Sequence, residues 1–153
     1  MSDRPQFVYV VYIASTAEKV FAALTDAEMS AQYWSGNSIV SDWKVGSPFV
    51  LKGRQGNVVI GKVLEADPPR RLAYTFHSQH DGLEKEGPSR VTFELEPLKG
   101  QVKLTVTHDE FPAGSEVFGH ISRGWPHVLS SLKSFVESGR GMMAPWYQQA
   151  ANA

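Results

Sequence analysis

The spacing of apolar residues along this chain changes twice. "FVYVVYI", residues 7–13, is β-branched or aromatic throughout, which predicts a strand apolar on both faces. In "STAEKVFAALTDAEMSAQYW" the spacing turns helical. Val20, Phe21 and Leu24 share one side, and Ser15 with Glu18 three residues on is a capping-box signature, so a helix is predicted from about residue 16. Thr25 and Glu28 repeat the signature, and Met29 with Tyr33 marks one face of a second short helix.

From Ile39 to His108 the signals are strands and turns. "SPFVLKG" reads as a strand ending at Gly53, and "RQGN" as a turn, since Gly and Asn accept left-handed backbone. "VVIGKVLEA" is a strand with a bulge or bend expected at Gly61, and "DPPRR" ends it. Alternation then sets Leu72, Tyr74 and Phe76 on one face of "RLAYTFH", and Val91, Phe93 and Leu95 on one face of "RVTFELEP". In "QVKLTVTH", Val102, Leu104, Val106 and His108 oppose Lys103, Thr105 and Thr107. About six short strands joined by tight turns predict an antiparallel sheet with one solvated face.

The last element is "GHISRGWPHVLSSLKSFV". Val117, Phe118, Ile121, Trp125, Val128, Leu129, Leu132, Phe135 and Val136 form an apolar stripe at helical spacing. Pro126 cannot donate to the preceding turn, so the helix is predicted to kink near Ser122–Gly124, or to be two helices with Pro126 in the first turn of the second. Gly139 supplies a stop. Residues 1–140 thus form one domain and residues 141–153 a tail, whose Met142, Met143, Trp146 and Tyr147 are apolar enough to dock.

The expected fold is α+β. A curved antiparallel sheet buries one face, and only the long helix can cover it. Curvature should leave a cavity between them. Its wall would come from Trp34 and Trp43, from Phe49, Tyr74, Phe76 and Phe93 on the strands, and from Val106 and His108 on the last strand. The helix would add Phe118, Ile121, Trp125 and Leu129. Apolar pockets with a few polar groups suit small molecules.

Composition narrows the partners. The 153 residues are 42% hydrophobic and 20% charged, with a formal net charge of −1. That is a globular composition without a basic stripe, which argues against nucleic acid. There is no cysteine, so disulfides, thiol nucleophiles and thiolate metal sites are excluded. No signal-peptide pattern and no apolar run of membrane-spanning length occurs, which leads to the expectation of a cytoplasmic monomer or homodimer.

Candidate chemistry is sparse. His108, with Asp109 and Glu110 beside it, could move a proton together with Tyr74, but a histidine satisfied by its own fold is the plainer reading. His120 and His127 stand seven apart, where helical metal ligands stand three or four apart, so no metal and no cofactor is expected. His77 and His80 flank a strand end before the polar segment "DGLEKEG", which is read as a solvated loop. No nucleophile-elbow or phosphate-loop motif is present.

Several stretches together carry a resemblance. "IASTAEKVFAALTDAEMSAQYW", "WKVGSPF", "GKVLEADPPRRLAYTF", "SRVTFELEP", "VKLTVTHDEF" and "RGWPHVLSSLKSFVESG" follow, in order, the pattern of the activator of heat-shock-protein-90 ATPase homologue-like family. They span roughly residues 7–139. "VGSPF" departs from the Gly-Gly usual before the aromatic residue of that strand. The family sits in the START-like, or SRPBCC, superfamily, whose helix-grip fold is that of the birch pollen allergen. The resemblance implies hydrophobic-ligand or lipid binding in the cavity and a stress-related role. A cyclase or hydratase using the same cavity is an alternative, as is co-chaperone-like interaction, although the name-giving co-chaperone has a further N-terminal domain.

Overall fold

The computed structural model describes residues 4–145. Seven antiparallel strands form one sheet in the order β1-β7-β6-β5-β4-β3-β2. They are β1 (Phe7–Ile13), β2 (Ser38–Ser41), β3 (Pro48–Gly53), β4 (Gly56–Asp67), β5 (Arg71–Ser78), β6 (Ser89–Leu98) and β7 (Gln101–Asp109). β2 to β7 pair in sequence, and β1 closes against β7 at the far edge. Helices α1 (Ala17–Thr25) and α2 (Ala27–Tyr33) carry the chain from one edge strand to the other. Helix α3 (Glu116–Ser138) follows β7 and covers the inner face. This is the helix-grip fold.

Period-two alternation explains which face is inner. Val102, Leu104, Val106 and His108 are all fully buried, while Lys103, Thr105 and Thr107 face outward and are half-buried. Val91, Phe93 and Leu95 continue the buried face on β6. On β1, Ile13 is buried, whereas Val8, Val10 and Tyr12 lie outward and exposed.

Several local expectations are corrected. Thr16, not Ser15, caps α1: its hydroxyl accepts from the Lys19 N–H at 3.2 Å. Asp26, not Thr25, caps α2 by accepting from the Met29 N–H at 2.9 Å, while Thr25 closes α1. Ser30 and Tyr33 form the buried face of α2, and Met29 is exposed. At both caps two neighbouring residues suit the role chemically.

Helix α3 is neither broken nor divided. It runs 23 residues through Pro126 as one helix. The proline costs one backbone hydrogen bond, and the stripe Val117, Ile121, Trp125, Leu129 and Leu132 stays buried on both sides of it. Gly139 ends the helix in the left-handed region at φ 85°, as the sequence indicates.

Gly61 marks a close approach. A Cβ there would lie 1.9 Å from the Thr75 carbonyl oxygen and 2.3 Å from the Phe49 ring. The β4 bulge itself falls just after, between Val63 and Glu65.

The segment after β5 is more than a solvated loop. Leu83 inserts into the core at 5% exposure, and the Glu84 carbonyl meets His77 Nε2 at 2.8 Å. The Glu86 carboxylate sits on the first turn of α3, accepting from the Ser115 hydroxyl at 2.5 Å and from the Glu116 N–H at 3.0 Å. The segment thereby fastens the start of α3 to the sheet.

Past α3 the chain folds back. Ser131 Oγ bonds both the N–H and the carbonyl of Met142, Ala144 N–H donates to Ser35 Oγ, and Gly141 packs on the Gln32–Tyr33 backbone. Met142 and Met143 are themselves exposed. Trp146 and Tyr147 lie outside the described residues.

Candidate functional site

The space between sheet and α3 is occupied by aromatic rings. Tyr74 of β5 is the centre of one group: its ring lies 4.2 Å from Phe49, 5.7 Å from Phe93 and 6.4 Å from Trp43. Trp125 of α3 is the centre of the other, 5.5 Å from Trp34, 5.8 Å from Phe93 and 6.4 Å from Phe76. Phe93 joins the two. Centroid separations in this range are those of favourable tilted and edge-to-face pairs.

Every residue expected on the wall lies on this inner side. Phe49, Tyr74, Phe76, Phe93, Val106, His108, Ile121, Trp125 and Leu129 are buried, and Trp34, Trp43 and Phe118 are half-buried against the same cluster. The expected open cavity beside Trp125 is instead filled by these side chains. Two open depressions lie elsewhere. One, of about 410 Å³, is bounded by Lys19, Ala22, Met29, Phe135 and Val136. The other, of about 470 Å³, lies on the outer face among Arg70, Arg71, Glu94 and Lys103.

His108 is built into this interior with both ring nitrogens engaged. The Trp125 indole N–H donates to Nδ1 at 3.0 Å. Nδ1 is therefore the acceptor, which places the proton on Nε2. Nε2 then donates to Ser89 Oγ at 2.7 Å, and Ser89 donates onward to the Phe76 carbonyl at 3.2 Å. Four elements, β5, β6, β7 and α3, are thus tied by one polar chain inside an apolar core. Phe76 and Phe111 flank the imidazole at 4.8 and 4.5 Å. Burial pushes its pKa down from 6.5 to about 3, so the ring is neutral.

Tyr74 and His108 are kept apart. Tyr74 pairs with Val91 across β5 and β6, and Val91 with His108 across β6 and β7, so Val91 stands between them. Burial, with the nearby Tyr33, raises the Tyr74 phenol well above its ordinary range, so it stays protonated. An acid–base pair needs hydrogen-bond reach and a pKa near the working pH. This arrangement supplies neither.

The remaining candidates lie outside the cluster. Asp109 ends β7 half-buried, with one buried carboxylate oxygen unpartnered, and Glu110 is exposed, 3.7 Å from Arg90. His120 is exposed, and its ring meets His80 at 5.7 Å, not His127. Among the described residues no group of three or more His, Asp or Glu could hold a metal.

Sequence reasoning missed Ser89 and Phe111. Ser89 lies two residues before Val91 on the same alternating face, so the signal was present but carried by a polar residue. Phe111 lies just past the last strand, where no period applies, yet it is fully buried.

Comparison with known proteins places this geometry. The family described as "Activator of Hsp90 ATPase homolog 1-like protein" matches residues 14–137. Among solved structures, a protein from Cytophaga hutchinsonii is 29% identical with a TM-score of 0.70, covering 91% of this chain and 98% of its own. One from Mesorhizobium loti is 25% identical with a TM-score of 0.74, covering 86% and 96%. An HSP90 activator from Plasmodium falciparum is 24% identical with a TM-score of 0.72, covering 86% and 95%. No curated protein matches the chain.

Proposed function

The chain belongs to the Activator of Hsp90 ATPase homolog 1-like family, and from that premise we propose that it is a binding module for a small apolar or amphipathic molecule. One observation carries the reading. The interior is a continuous aromatic cluster whose histidine has both ring nitrogens engaged by the fold, so it offers apolar contact and no free imidazole. The ligand enters at the half-buried rings of Trp34, Trp43 and Phe118, and the cluster opens to accept it. Binding of this kind draws on buried apolar area and needs few polar contacts.

The test is a titration with the apolar fluorophore 8-anilinonaphthalene-1-sulfonate, with the protein's folded state confirmed by circular dichroism. Saturable binding that quenches tryptophan emission and is weakened by Trp34→Ala supports the reading. Absence of saturable binding to folded protein overturns it. The filled interior favours one second reading, an interaction protein that acts through its surface in the manner of a co-chaperone. Stimulation of a heat-shock-protein-90 ATPase by the purified chain would establish it.

A further inference from the structure

We propose that β1 is an interface between two copies of this chain, joined edge to edge into one continuous antiparallel sheet. The inference starts from the direction of backbone groups. In an antiparallel strand a residue's N–H and C=O point to the same side, and neighbours point to opposite sides. The Leu95 N–H bonds the Arg70 carbonyl, so Leu95 points toward β5. Glu94 and Glu96 therefore point toward β7, where their partners are Thr105 and Lys103. Leu104, Val106 and His108 must then point toward β1 and meet Val11, Tyr9 and Phe7. Val8, Val10 and Tyr12 are left pointing away from the sheet.

Helix α3 covers only one end of that free edge. Lys133 Nζ donates to the Tyr12 carbonyl at 2.7 Å, and Glu137 accepts from the Ala14 N–H at 2.7 Å. These contacts confirm which way the even-numbered residues face. They stop at Tyr12. Among the described residues, no hydrogen bond meets the N–H or C=O groups of Val8 and Val10.

Free edges are usually blunted by a lysine, a proline, a bulge or shortness. The opposite edge strand, β2, is short at four residues. β1 has none of these devices: its seven residues carry no charge and no proline, and its register runs without a shift. Its outward side chains, Val8, Val10 and Tyr12, are 54%, 43% and 48% exposed.

A second copy fits this edge. A two-fold axis at Tyr9 sets Val8 against Val10 of the other copy, and Val10 against its Val8. Each pair exchanges two backbone hydrogen bonds, so all the free groups of Val8 and Val10 are used. The Tyr12 carbonyl stays with Lys133. The exposed valines cover one another on the outer face, and Tyr9 meets Tyr9 on the inner face. With no charge on the strand, symmetric pairing opposes no like charges, and a charged peptide finds nothing complementary there.

Sedimentation equilibrium of the full chain across a dilution series tests this. The mass should move between 16.9 kDa and twice that value. Val10→Pro removes an N–H that β7 does not use, so it should leave the fold intact and the protein monomeric. Val10→Lys serves the same end should the proline variant not fold. Hydrogen exchange read by NMR should find the Val8 and Val10 amides protected at high concentration and fast on dilution. A monomer at every concentration overturns the proposal. So does a dimer that survives in a folded Val10 variant, or fast exchange of both amides in the concentrated protein.

Discussion

Replacing His108 by Gln tests the polar chain at the centre of the domain. The native ring is neutral, with Nδ1 and Nε2 both engaged, and its pKa is held at about 3 against an ordinary 6.5. Above the ordinary value both folded and unfolded chains carry a neutral ring, and His108 adds no pH dependence. Below it the unfolded chain binds a proton that the folded chain refuses. Stability is therefore lost as pH falls from about 6.5 toward 3, at up to about 1.4 kcal/mol per pH unit. From about pH 7.5 to about pH 5 the loss works out at about 2 kcal/mol, or roughly 4–8 °C in Tm for a domain of this size. Lys133 beside Glu137, and Ser47 beside Asp42, hold those carboxyls below their ordinary values, so their contributions fade only at lower pH. The assay is urea unfolding followed by tryptophan emission at both pH values, for wild type and His108→Gln. The wild type should lose about 2 kcal/mol more than the variant over that interval. Equal losses would mean that folded His108 takes up protons freely, and the closed polar chain would be refuted.

Other substitutions probe separate parts of the fold. Gly61→Ala drives a Cβ into the Thr75 carbonyl and the Phe49 ring, so denaturant melts should record a loss above about 3 kcal/mol or no folded protein. Gly124→Ala on α3 meets nothing within 4 Å and should gain about 0.5–1 kcal/mol by the same measurement. Trp125→Ala removes the ring at the centre of one half of the cluster and leaves His108 Nδ1 without its donor. It should cost about 3–5 kcal/mol in urea unfolding. Glu86→Ala strips the carboxylate from the first turn of α3, and thermal melts should show a loss of about 1–2 kcal/mol.

The parts of this fold visible in the sequence are those with a local period. Alternation alone places Val91, Phe93 and Leu95 on β6, and Val102 through His108 on β7, on the buried face. Helical spacing finds the stripe of α3 from Val117 to Val136. What depends on distant partners was not visible. Glu86 reads as one charge in a polar loop because its partner, the start of α3, lies 30 residues further on. The unbroken course of α3 through Pro126 rests on the packing of its apolar stripe, which outweighs one missing hydrogen bond. For the site, the inward residues could be named, but how closely they fill the space could not. Packing is a property of facing side chains such as Phe49 and Tyr74, which come from different strands. Ser89 shows the remaining gap: its hydroxyl gains meaning only once β6 lies beside His108.

The central claim is that this domain holds a small apolar molecule among its aromatic rings. Native mass spectrometry of the chain purified from its own host tests it most directly. The account predicts a species heavier than the bare chain by one defined small-molecule mass, released on denaturation and depleted in Trp34→Ala. Recovery of the bare chain alone, under conditions that preserve noncovalent complexes, would contradict it.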